Sequence, residues 1–238
     1  MRIALLLLMS APLLLPADRP SDSFETSAGP VKITPIQHAS LMIEAGGKVI
    51  QVDPVGNFYQ GMPKADLILI TDIHGDHMSP PTIAQLKKEG TVIIAPAAVA
   101  KTVTEAQVLN NSETKQWSGW TIEAIPMYNI KRGPSPGQLF HDKGRGDGYV
   151  LTYGGKRFYL SGDTEGIPEM RALKNIDVAF VCMNLPYTMP PEEAADAVKA
   201  FKPKVVYPYH YRGSDLKVFE KALAGSGIEV RIRDWYAK

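Results

Sequence analysis

Four side chains that can bind a metal ion stand close together in this sequence. Asp72, His74, Asp76 and His77 follow one another within a few positions, directly after the mostly branched apolar run at residues 67–71. Imidazole nitrogens and carboxylate oxygens together suit a divalent transition metal. A histidine pair in a solvated turn is the ordinary alternative, since the H-x-x-H spacing alone is common. Carboxylates interleaved with histidines after an apolar run are rarer, and they favour a metal site.

The apolar run at residues 67–71 is predicted to be the element that positions this cluster. Its sequence, LILIT, is typical of a strand that is buried on both faces and ends in a polar loop. A strand holds the backbone rigidly, so the side chains that follow its carboxyl end have a fixed starting point.

Two later predicted strands also end in residues that can bind a metal. Strand 156–160 leads to Asp163, and strand 205–209 leads to His210. Taken alone, Asp163 could belong to a Gly-Asp-Thr turn, and His210 could simply pack between its neighbouring tyrosines. Because both repeat the strand-end pattern of the first cluster, we expect all of these residues to meet at one edge of two sheets with helices outside.

Two further residues at strand ends have open roles. His38 follows the predicted strand 31–36, where a polar turn and a site-facing side chain are equally consistent with the sequence. Asp53 follows the predicted strand 48–52, where it could form a turn or accept a hydrogen bond that orients a metal-binding histidine. For Asp53 the orienting role is favoured.

The rest of the chain is predicted to alternate strands with helices. The remaining predicted strands are residues 40–44, 91–95, 120–127, 148–153, 178–183 and 228–235, and the predicted helices are residues 80–88, 97–103, 168–174, 191–201 and 214–224. A long loop at residues 131–147, rich in glycine, could border a substrate entrance, since loops of this length in compact domains are usually functional.

Composition limits the classes of protein to which the chain can belong. Its 238 residues suffice for one sizeable domain, and 26 basic against 25 acidic residues give a formal net charge of +1. This balance does not predict a nucleic acid or an anionic membrane surface as partner. The single cysteine, Cys182, cannot form an internal disulfide and is predicted to be a small buried hydrophobic residue.

The amino-terminal residues predict export. Residues 1–17 combine one positive charge at Arg2, an apolar run and small residues near Ala17, which is the pattern of a secretory signal peptide. An uncleaved anchor is the alternative, and it would be the only membrane contact. Residues 18–30 are predicted to be a flexible leader and residues 31–238 the folded domain. Export without disulfides is compatible with a bacterial periplasm.

Three stretches of the sequence together resemble a known family. In order, LILITDIHGDHM, FYLSGDT and VVYPYHY are similar to the motifs of the metallo-β-lactamase superfamily of metallohydrolases, and the similarity runs from about Val31 to Trp235. The turn at His38-Ala39-Ser40, the hairpin GYVLTYGGKRFYLSGDT and the late strand ending in His210 are similar to the branch that includes ascorbate-6-phosphate lactonase-like and phospholipase D-like members.

This resemblance implies an α/β fold, an αββα sandwich of two mixed sheets flanked by helices, with one or two divalent metal ions. The family motif H-x-H-x-D-H falls on Asp72, His74, Asp76 and His77, so an aspartate replaces its first histidine. The family's later, usually bridging aspartate matches Asp163. Its last histidine, on the second metal, matches His210.

The middle histidine of the family has no clear match in this chain. Asn129 stands nearest to the expected position, and His141 lies further on in the long loop. Together with Asp72, this departure makes the first metal position rich in oxygen. Manganese, iron or weakly held zinc are therefore expected there rather than tightly held zinc.

The resemblance implies a metal-dependent hydrolase that directs a metal-bound hydroxide at an ester, lactone or phosphodiester bond of a small molecule, with Asp76 and His74 in catalytic roles. The alternative is an exported metal-binding or ligand-binding module of the same fold that has lost catalysis. Substrate contacts could come from Tyr187 and Met189. An anionic group could be met by one of four cations, Arg132, Lys143, Arg145 and Arg212.

Overall fold

Two seven-stranded sheets, one from each half of the chain, form the centre of the protein. The structure is a computed structural model that describes residues 19–236. The first sheet contains, in spatial order, β1 (Asp22–Phe24), β2 (Val31–Gln37), β3 (Ser40–Ala45), β4 (Lys48–Val52), β5 (Leu67–Leu69), β6 (Val92–Ala95) and β7 (Gln107–Val108). The second contains β8 (Thr114–Trp117), β9 (Trp120–Met127), β10 (Gly146–Tyr153), β11 (Lys156–Leu160), β12 (Val178–Cys182), β13 (Val205–Tyr209) and β14 (Glu229–Val230), with β8 and β14 at its edges.

Both sheets follow the same plan. In chain order, the first four strands of each sheet pair antiparallel. The fourth strand, β4 or β11, then pairs in parallel with the next, and the remaining pairs are parallel as well. The hairpins β3–β4 and β10–β11 turn at Gly46-Gly47 and Gly154-Gly155, all four glycines having positive φ, a conformation that costs residues with a side chain far more.

Helices cover the outer faces of the two sheets. They are α1 (Pro80–Leu86), α2 (Ala97–Ala100), α3 (Pro168–Arg171), α4 (Pro191–Phe201) and α5 (Leu216–Leu223). Ser79 caps α1, its side chain accepting from the backbone N–H of Thr82, and Asp215 caps α5 by accepting from Lys217 N. Proline at the first turn of α1, α3 and α4 suits a position whose N–H has no partner within the helix.

Apolar side chains of the two sheets meet in one central core. Leu41 and Ile43 of the first sheet belong to the same buried cluster as Tyr149 and Leu151 of the second, and that cluster continues to the buried face of α4. A smaller cluster packs α1 and α2 against the outer face of the first sheet, for example Ile83 against Ile68 and its neighbours. The expected αββα layering is confirmed.

The predicted flexible leader takes part in the first sheet. Its residues 22–24 form β1, antiparallel to β2, and Phe24 packs edge-on against Phe158 at 5.9 Å between ring centroids. Asp22 pairs with Arg233 at 2.6 Å. These long-range contacts, which local composition does not reveal, order the segment. The predicted signal peptide lies outside the described residues, and none of the described helices is long and apolar enough to span a bilayer.

The last predicted strand is also shorter than expected. Residues 228–235 were predicted as one strand, but β14 contains only Glu229 and Val230. Residues 231–234 lie in no strand, and Trp235 after them is completely buried in the central core. Helices α1, α2 and α3 end several residues before the predicted positions, and the short strands β7 and β8 were not predicted.

Candidate metal centre

The predicted metal-binding residues meet where strands of both sheets end. Residues 72–77 follow β5 by a short turn, Asp163 follows β11, and His210 comes directly after β13. The sequence contains five histidines, and all five, His38, His74, His77, His141 and His210, lie in this one place. Histidine is otherwise used nowhere in the chain, so its concentration here points to metal binding.

Three groups of side chains bring ligand atoms within 4.8 Å of one another. The groups are His38, Asp76 and His210; Asp72, His74 and His141; and His77, Asp163 and His210. Several buried atoms in them have no hydrogen-bond partner among the described residues, namely Nε2 of His77, Nε2 of His141, both ring nitrogens of His210 and Oδ1 of Asp163. Buried polar atoms without partners are costly, and a bound cation is the usual partner for such a set.

Asp163 lies between the two halves of the cluster. Its Oδ2 is 3.2 Å from Nε2 of His141 and 3.3 Å from Nε2 of His77, and its Oδ1 is 3.4 Å from Nε2 of His210. Burial opposes the charge of Asp163, but His210 and His77 outweigh burial and hold its pKa well below the ordinary value. The carboxylate is thus ionised and lies within 3.4 Å of three histidine rings. The preceding Gly162 has a φ of 58° and no room for a Cβ, which would lie 2.4 Å from the Met127 sulfur.

Asp53 and Thr71 fix the orientation of His77. Asp53 Oδ2 lies 2.9 Å from Nδ1 of His77 and accepts the Thr71 hydroxyl at 2.6 Å, while its Oδ1 accepts the Thr71 backbone N–H at 2.7 Å. Because a carboxylate can only accept, Nδ1 of His77 carries the proton and Nε2 faces Asp163. Burial opposes charge on this imidazole, but Asp163 and Asp53 raise its pKa well above the ordinary value. The raised pKa means that Nε2 also holds a proton, which a metal ion bound at Nε2 would have to displace.

Asn129 does the same for His141. Asn129 Oδ1 accepts from Nδ1 of His141 at 2.7 Å and from the His141 backbone N–H at 2.8 Å, so Nε2 of His141 is left to face Asp163. Of the two residues between which the sequence could not decide, His141 therefore presents a nitrogen to the cluster, and Asn129 stands behind it.

His38 connects the carboxyl end of the chain to Asp76. Its Nδ1 lies 2.6 Å from the Tyr236 hydroxyl and its Nε2 lies 3.2 Å from Asp76 Oδ2. Burial lowers the pKa of His38, so the ring is neutral at pH 7. Since Asp76 can only accept, Nε2 donates to it and Nδ1 accepts from Tyr236. Within this hydrogen-bonded series of three side chains, the Asp76 carboxylate, 47% exposed, is the group that faces the solvent.

Asp72 is completely buried and paired with an arginine. Arg145 donates from Nε to Asp72 Oδ1 at 3.2 Å and from Nη2 to Oδ2 at 3.0 Å, and Nδ1 of His74 lies 3.0 Å from the same Oδ2. Burial would raise the pKa of Asp72, but His74, His77 and Arg145 lower it to about 2. Asp72 is therefore a carboxylate at pH 7.

Three residues of the cluster have left-handed backbone conformations. His38, Asp53 and His210 have φ angles of 55°, 44° and 47°, and none is glycine. Such conformations are unfavourable for residues with a side chain and occur most often at functional sites. The backbone N–H of His210 also donates to the His38 carbonyl at 3.0 Å, which ties the two turns together.

Glu165 holds the root of the loop that carries His141. Its buried carboxylate accepts from the backbone N–H groups of Ile130, Lys131 and Arg132, and from the Arg132 guanidinium at 3.0 Å. The Asn129 amide also lies 3.3 Å away. The loop is thus anchored beside Asp163, two residues before Glu165 in the chain.

An open cleft of about 720 Å³ leads from solvent to the cluster. One wall is apolar and contains Phe140, Leu185 and Tyr187, the first and last in edge-to-face contact at 5.0 Å. Leu185 and Tyr187 are 49% and 47% exposed, unusual values for large apolar side chains grouped beside polar ones. Met189 is instead fully buried in the core.

The four candidate cations have different surroundings. Arg212 lines the cleft and lies over the Tyr236 ring at 5.4 Å. Arg132 pairs with Glu165 and Glu193, Lys143 with Glu169, and Arg145 with Asp72. The sequence interpretation did not identify Thr71, Glu165 or Tyr236. Only Glu165 carried a signal, since it follows the predicted strand end at Asp163.

Comparison with known proteins gives consistent matches over most of the chain. Residues 32–210 match the sequence profile of the β-lactamase superfamily domain. A metal-dependent hydrolase of family UPF0173 from Thermococcus kodakarensis is 32% identical over 222 residues, covering 85% of this chain and 96% of the relative. A similar relative from Thermus thermophilus is 29% identical, covering 84% and 94%.

Solved structures agree with these matches. A candidate metal-dependent hydrolase from Parabacteroides distasonis superposes with a TM-score of 0.86 at 45% identity, covering 91% of this chain and 99% of that protein. The metallo hydrolase Igni18 from Ignicoccus hospitalis has the same fold, with a TM-score of 0.71 at 24% identity and coverage of 85% and 94%.

Proposed function

Because this chain belongs to the β-lactamase superfamily and is a metal-dependent hydrolase, we propose that it binds two divalent ions between its sheets and cleaves an ester, lactone or phosphodiester bond of a small molecule. The observation that carries the proposal is a set of buried nitrogen and oxygen atoms that have no hydrogen-bond partner within residues 19–236. His77, His141, Asp163 and His210 contribute these atoms, which point into one space.

The side chains fit two neighbouring ions. Asp72, His74 and His141 would hold the first, and we call this group the first half-site. Asp76, His77 and His210 would hold the second and form the second half-site, with Asp163 shared between the two. Two of the histidines that present Nε2, His77 and His141, have their other nitrogen fixed by an acceptor, as metal-binding histidines usually do.

The donor set favours manganese or iron over tightly held zinc. Asp72 supplies oxygen where a third histidine would supply nitrogen, and the shared Asp163 adds another carboxylate. Oxygen donors suit harder ions. This reasoning supports a choice of ions to test first.

Bound divalent ions supply Lewis acidity and make a coordinated water acidic near neutral pH. The protein contributes orientation and exclusion of solvent. His38 fixes the Asp76 carboxylate by donating to it at 3.2 Å, and Asp76 can then accept a hydrogen bond from the attacking water. His74, 43% exposed, faces the same cleft and can contact the reacting group.

The cleft supports a substrate with an apolar part and a negative charge. Phe140, Leu185 and Tyr187 would contact the apolar part, and Arg212 would contact the anion.

Arg212→Gln should raise KM for anionic esters or phosphodiesters about tenfold, with a much smaller effect on neutral esters. Lys32→Gln, on β2, removes the same charge away from the cleft and serves as control. Equal effects on both substrate types would contradict this role of Arg212.

Metal content per chain tests the proposal directly. The protein is loaded with excess manganese, iron or zinc, freed of unbound ions and analysed by mass spectrometry for wild type and Asp163→Ala. We expect about two ions per wild-type chain and a loss of both in the variant, because the shared carboxylate serves both. No bound metal under any of the three conditions would contradict the proposal.

We also propose that the protein is exported, on the basis of its first 17 residues. The proposal predicts that protein recovered from the periplasm of a bacterial host begins near residue 18. Amino-terminal sequencing of the periplasmic and cytoplasmic fractions tests it, and intact residues 1–17 in both fractions would contradict it.

A further inference from the structure

Arg145 occupies both oxygens of Asp72 in the first half-site. Nε donates to Oδ1 at 3.2 Å and Nη2 to Oδ2 at 3.0 Å, a two-pronged contact that fits a carboxylate well. Asp72 is completely buried, and the Arg145 side chain is only 23% exposed. Little solvent is therefore available to screen this pair.

One of the two Asp72 oxygens that Arg145 contacts, Oδ2, is also the one turned toward the other residues of the first half-site. Asp72 Oδ2 lies 3.0 Å from Nδ1 of His74 and 3.8 Å from Nε2 of His141. An ion bound by these three residues would have to share Oδ2 with the guanidinium. Arginine keeps its charge at every pH at which proteins are folded, so the competition is permanent.

The second half-site has no such cation. Among the described residues, the ion pairs of Asp76 and Asp163 are formed with histidines only, and no lysine or arginine contacts either carboxylate. Histidines lose their proton to a metal ion, whereas arginine does not. Arg212 borders the same cleft but forms no ion pair with either carboxylate. In direct contact with a proposed ligand, the two half-sites therefore differ by one permanent positive charge, located at the first.

We infer that Arg145 makes the two half-sites unequal in affinity, so that a divalent ion fills the second half-site first and the first half-site only at higher metal concentration. This inference rests on the proposed function. It adds a regulatory property to the site: the chain holds one ion when metal is scarce and two when metal is abundant. The hydrolase would then respond to metal supply through its second bound ion.

Titration of the metal-depleted protein with manganese tests the inference. Competition with a chromophoric chelator measures each binding step, independently of any substrate. For wild type we expect two steps whose Kd values differ by at least about tenfold. In Arg145→Gln, which keeps a donor for Asp72 but removes the charge, the weaker step should tighten by at least about tenfold while the stronger step changes by less than about threefold.

Lys143→Gln is the matched control. Lys143 lies in the same loop and loses the same charge, but its amine pairs with Glu169 at 2.6 Å and not with the cluster. Both of its steps should equal those of wild type. A weaker step in Arg145→Gln that is unchanged or looser would overturn the inference, because Arg145 would then only position Asp72.

Arg145→Met takes the place of the glutamine variant if that variant does not fold. Methionine has a long side chain and no charge, so the weaker step should again tighten by at least about tenfold. A weaker step that is unchanged or looser in Arg145→Met would contradict the charge effect. Failure of every protein to bind any metal would refute the proposed function, whereas a normal first step with an unaltered second step in Arg145→Gln would refute this inference alone.

Discussion

In two histidines of the candidate metal centre, a neighbouring residue determines which ring nitrogen faces the cluster. Asp53 holds Nδ1 of His77, and Asn129 holds Nδ1 of His141, so both rings present Nε2 to Asp163. The tautomer, and not only the ring position, is thus determined by residues that would not themselves touch the ion.

Asp53→Asn should weaken metal binding at the second half-site by about 10- to 100-fold. The amide can donate to Nδ1 of His77, which would move the imidazole proton to Nε2, the nitrogen that the ion needs. Thr71→Val removes one hydroxyl from the same network but leaves the contact between Asp53 and His77, so its effect should be several-fold smaller. Metal titration of both variants measures the difference, and equal losses would contradict the tautomer argument.

Asp147 gives the stability of the protein a dependence on pH. Its carboxyl group is buried on β10, accepts from Asn111, and has one oxygen without a partner; burial raises its pKa to about 7. The folded state therefore holds a proton that the unfolded chain releases near pH 4. As the pH rises from about 4 to about 7, this group should therefore lower the unfolding free energy by up to about 1.4 kcal/mol per pH unit.

Urea denaturation of wild type and Asp147→Asn across this pH range checks the prediction. The asparagine variant cannot ionise at this position, so its stability relative to wild type should be greatest at pH 7. That advantage should shrink or reverse as the pH falls. A difference that is constant with pH would show that Asp147 keeps an ordinary pKa.

At the scale of elements, the loop between β9 and β10 is the part of the site that most needs support. It carries His141 and Arg145, contains no strand or helix, and is anchored by Glu165 through three backbone N–H groups and Arg132. That carboxylate holds the root of the loop beside Asp163.

Glu165→Ala should lower the unfolding free energy by about 3 to 5 kcal/mol, because it leaves three backbone N–H groups without their acceptor and removes the buried one of the two carboxylates that pair with Arg132. Glu193→Ala removes the other, more exposed partner of Arg132 and should cost less than about 1 kcal/mol. Denaturant titration measures both, and hydrogen exchange should increase around residues 129–141 only in the Glu165 variant. Similar costs for the two variants would contradict the anchoring role.

The same loop marks the boundary of what the sequence could predict. The predicted first and last residues agree with the structure for β4, β9, β11, β13 and α4. These elements could be predicted because apolar periodicity and glycine turns are local signals. The pairing of Asp72 with Arg145 joins positions 73 residues apart, and nothing in either neighbourhood indicates it. Likewise, the choice between Asn129 and His141 needed the three-dimensional path of a loop without periodicity.

At the scale of the whole molecule, the candidate metal centre lies where the two sheets meet. Residues 72–77 extend from the first sheet, whereas Asp163 and His210 extend from the second. An ion shared by these residues would resist separation of the sheets, and so it would stabilise the folded chain against unfolding.

Metal removal should therefore lower Tm. With free metal at about 100 times Kd, binding adds about 2.7 kcal/mol, which corresponds to roughly 5 to 10 °C for a domain of this size. Thermal melts with EDTA and after re-addition of manganese test this, with Asp163→Ala as control, since that variant should melt at the same temperature in both conditions. A wild-type Tm that is insensitive to EDTA would contradict a metal that joins the sheets.

The contacts of His38 make two residues far along the chain part of the support of the candidate site. The His38 backbone N–H donates to the carbonyl of Trp235, and its ring contacts the Tyr236 hydroxyl. The other nitrogen of the same ring lies 3.2 Å from Asp76. Removal of residues 235 and 236 would therefore release the His38 ring and loosen Asp76, although it deletes none of the proposed metal-binding side chains.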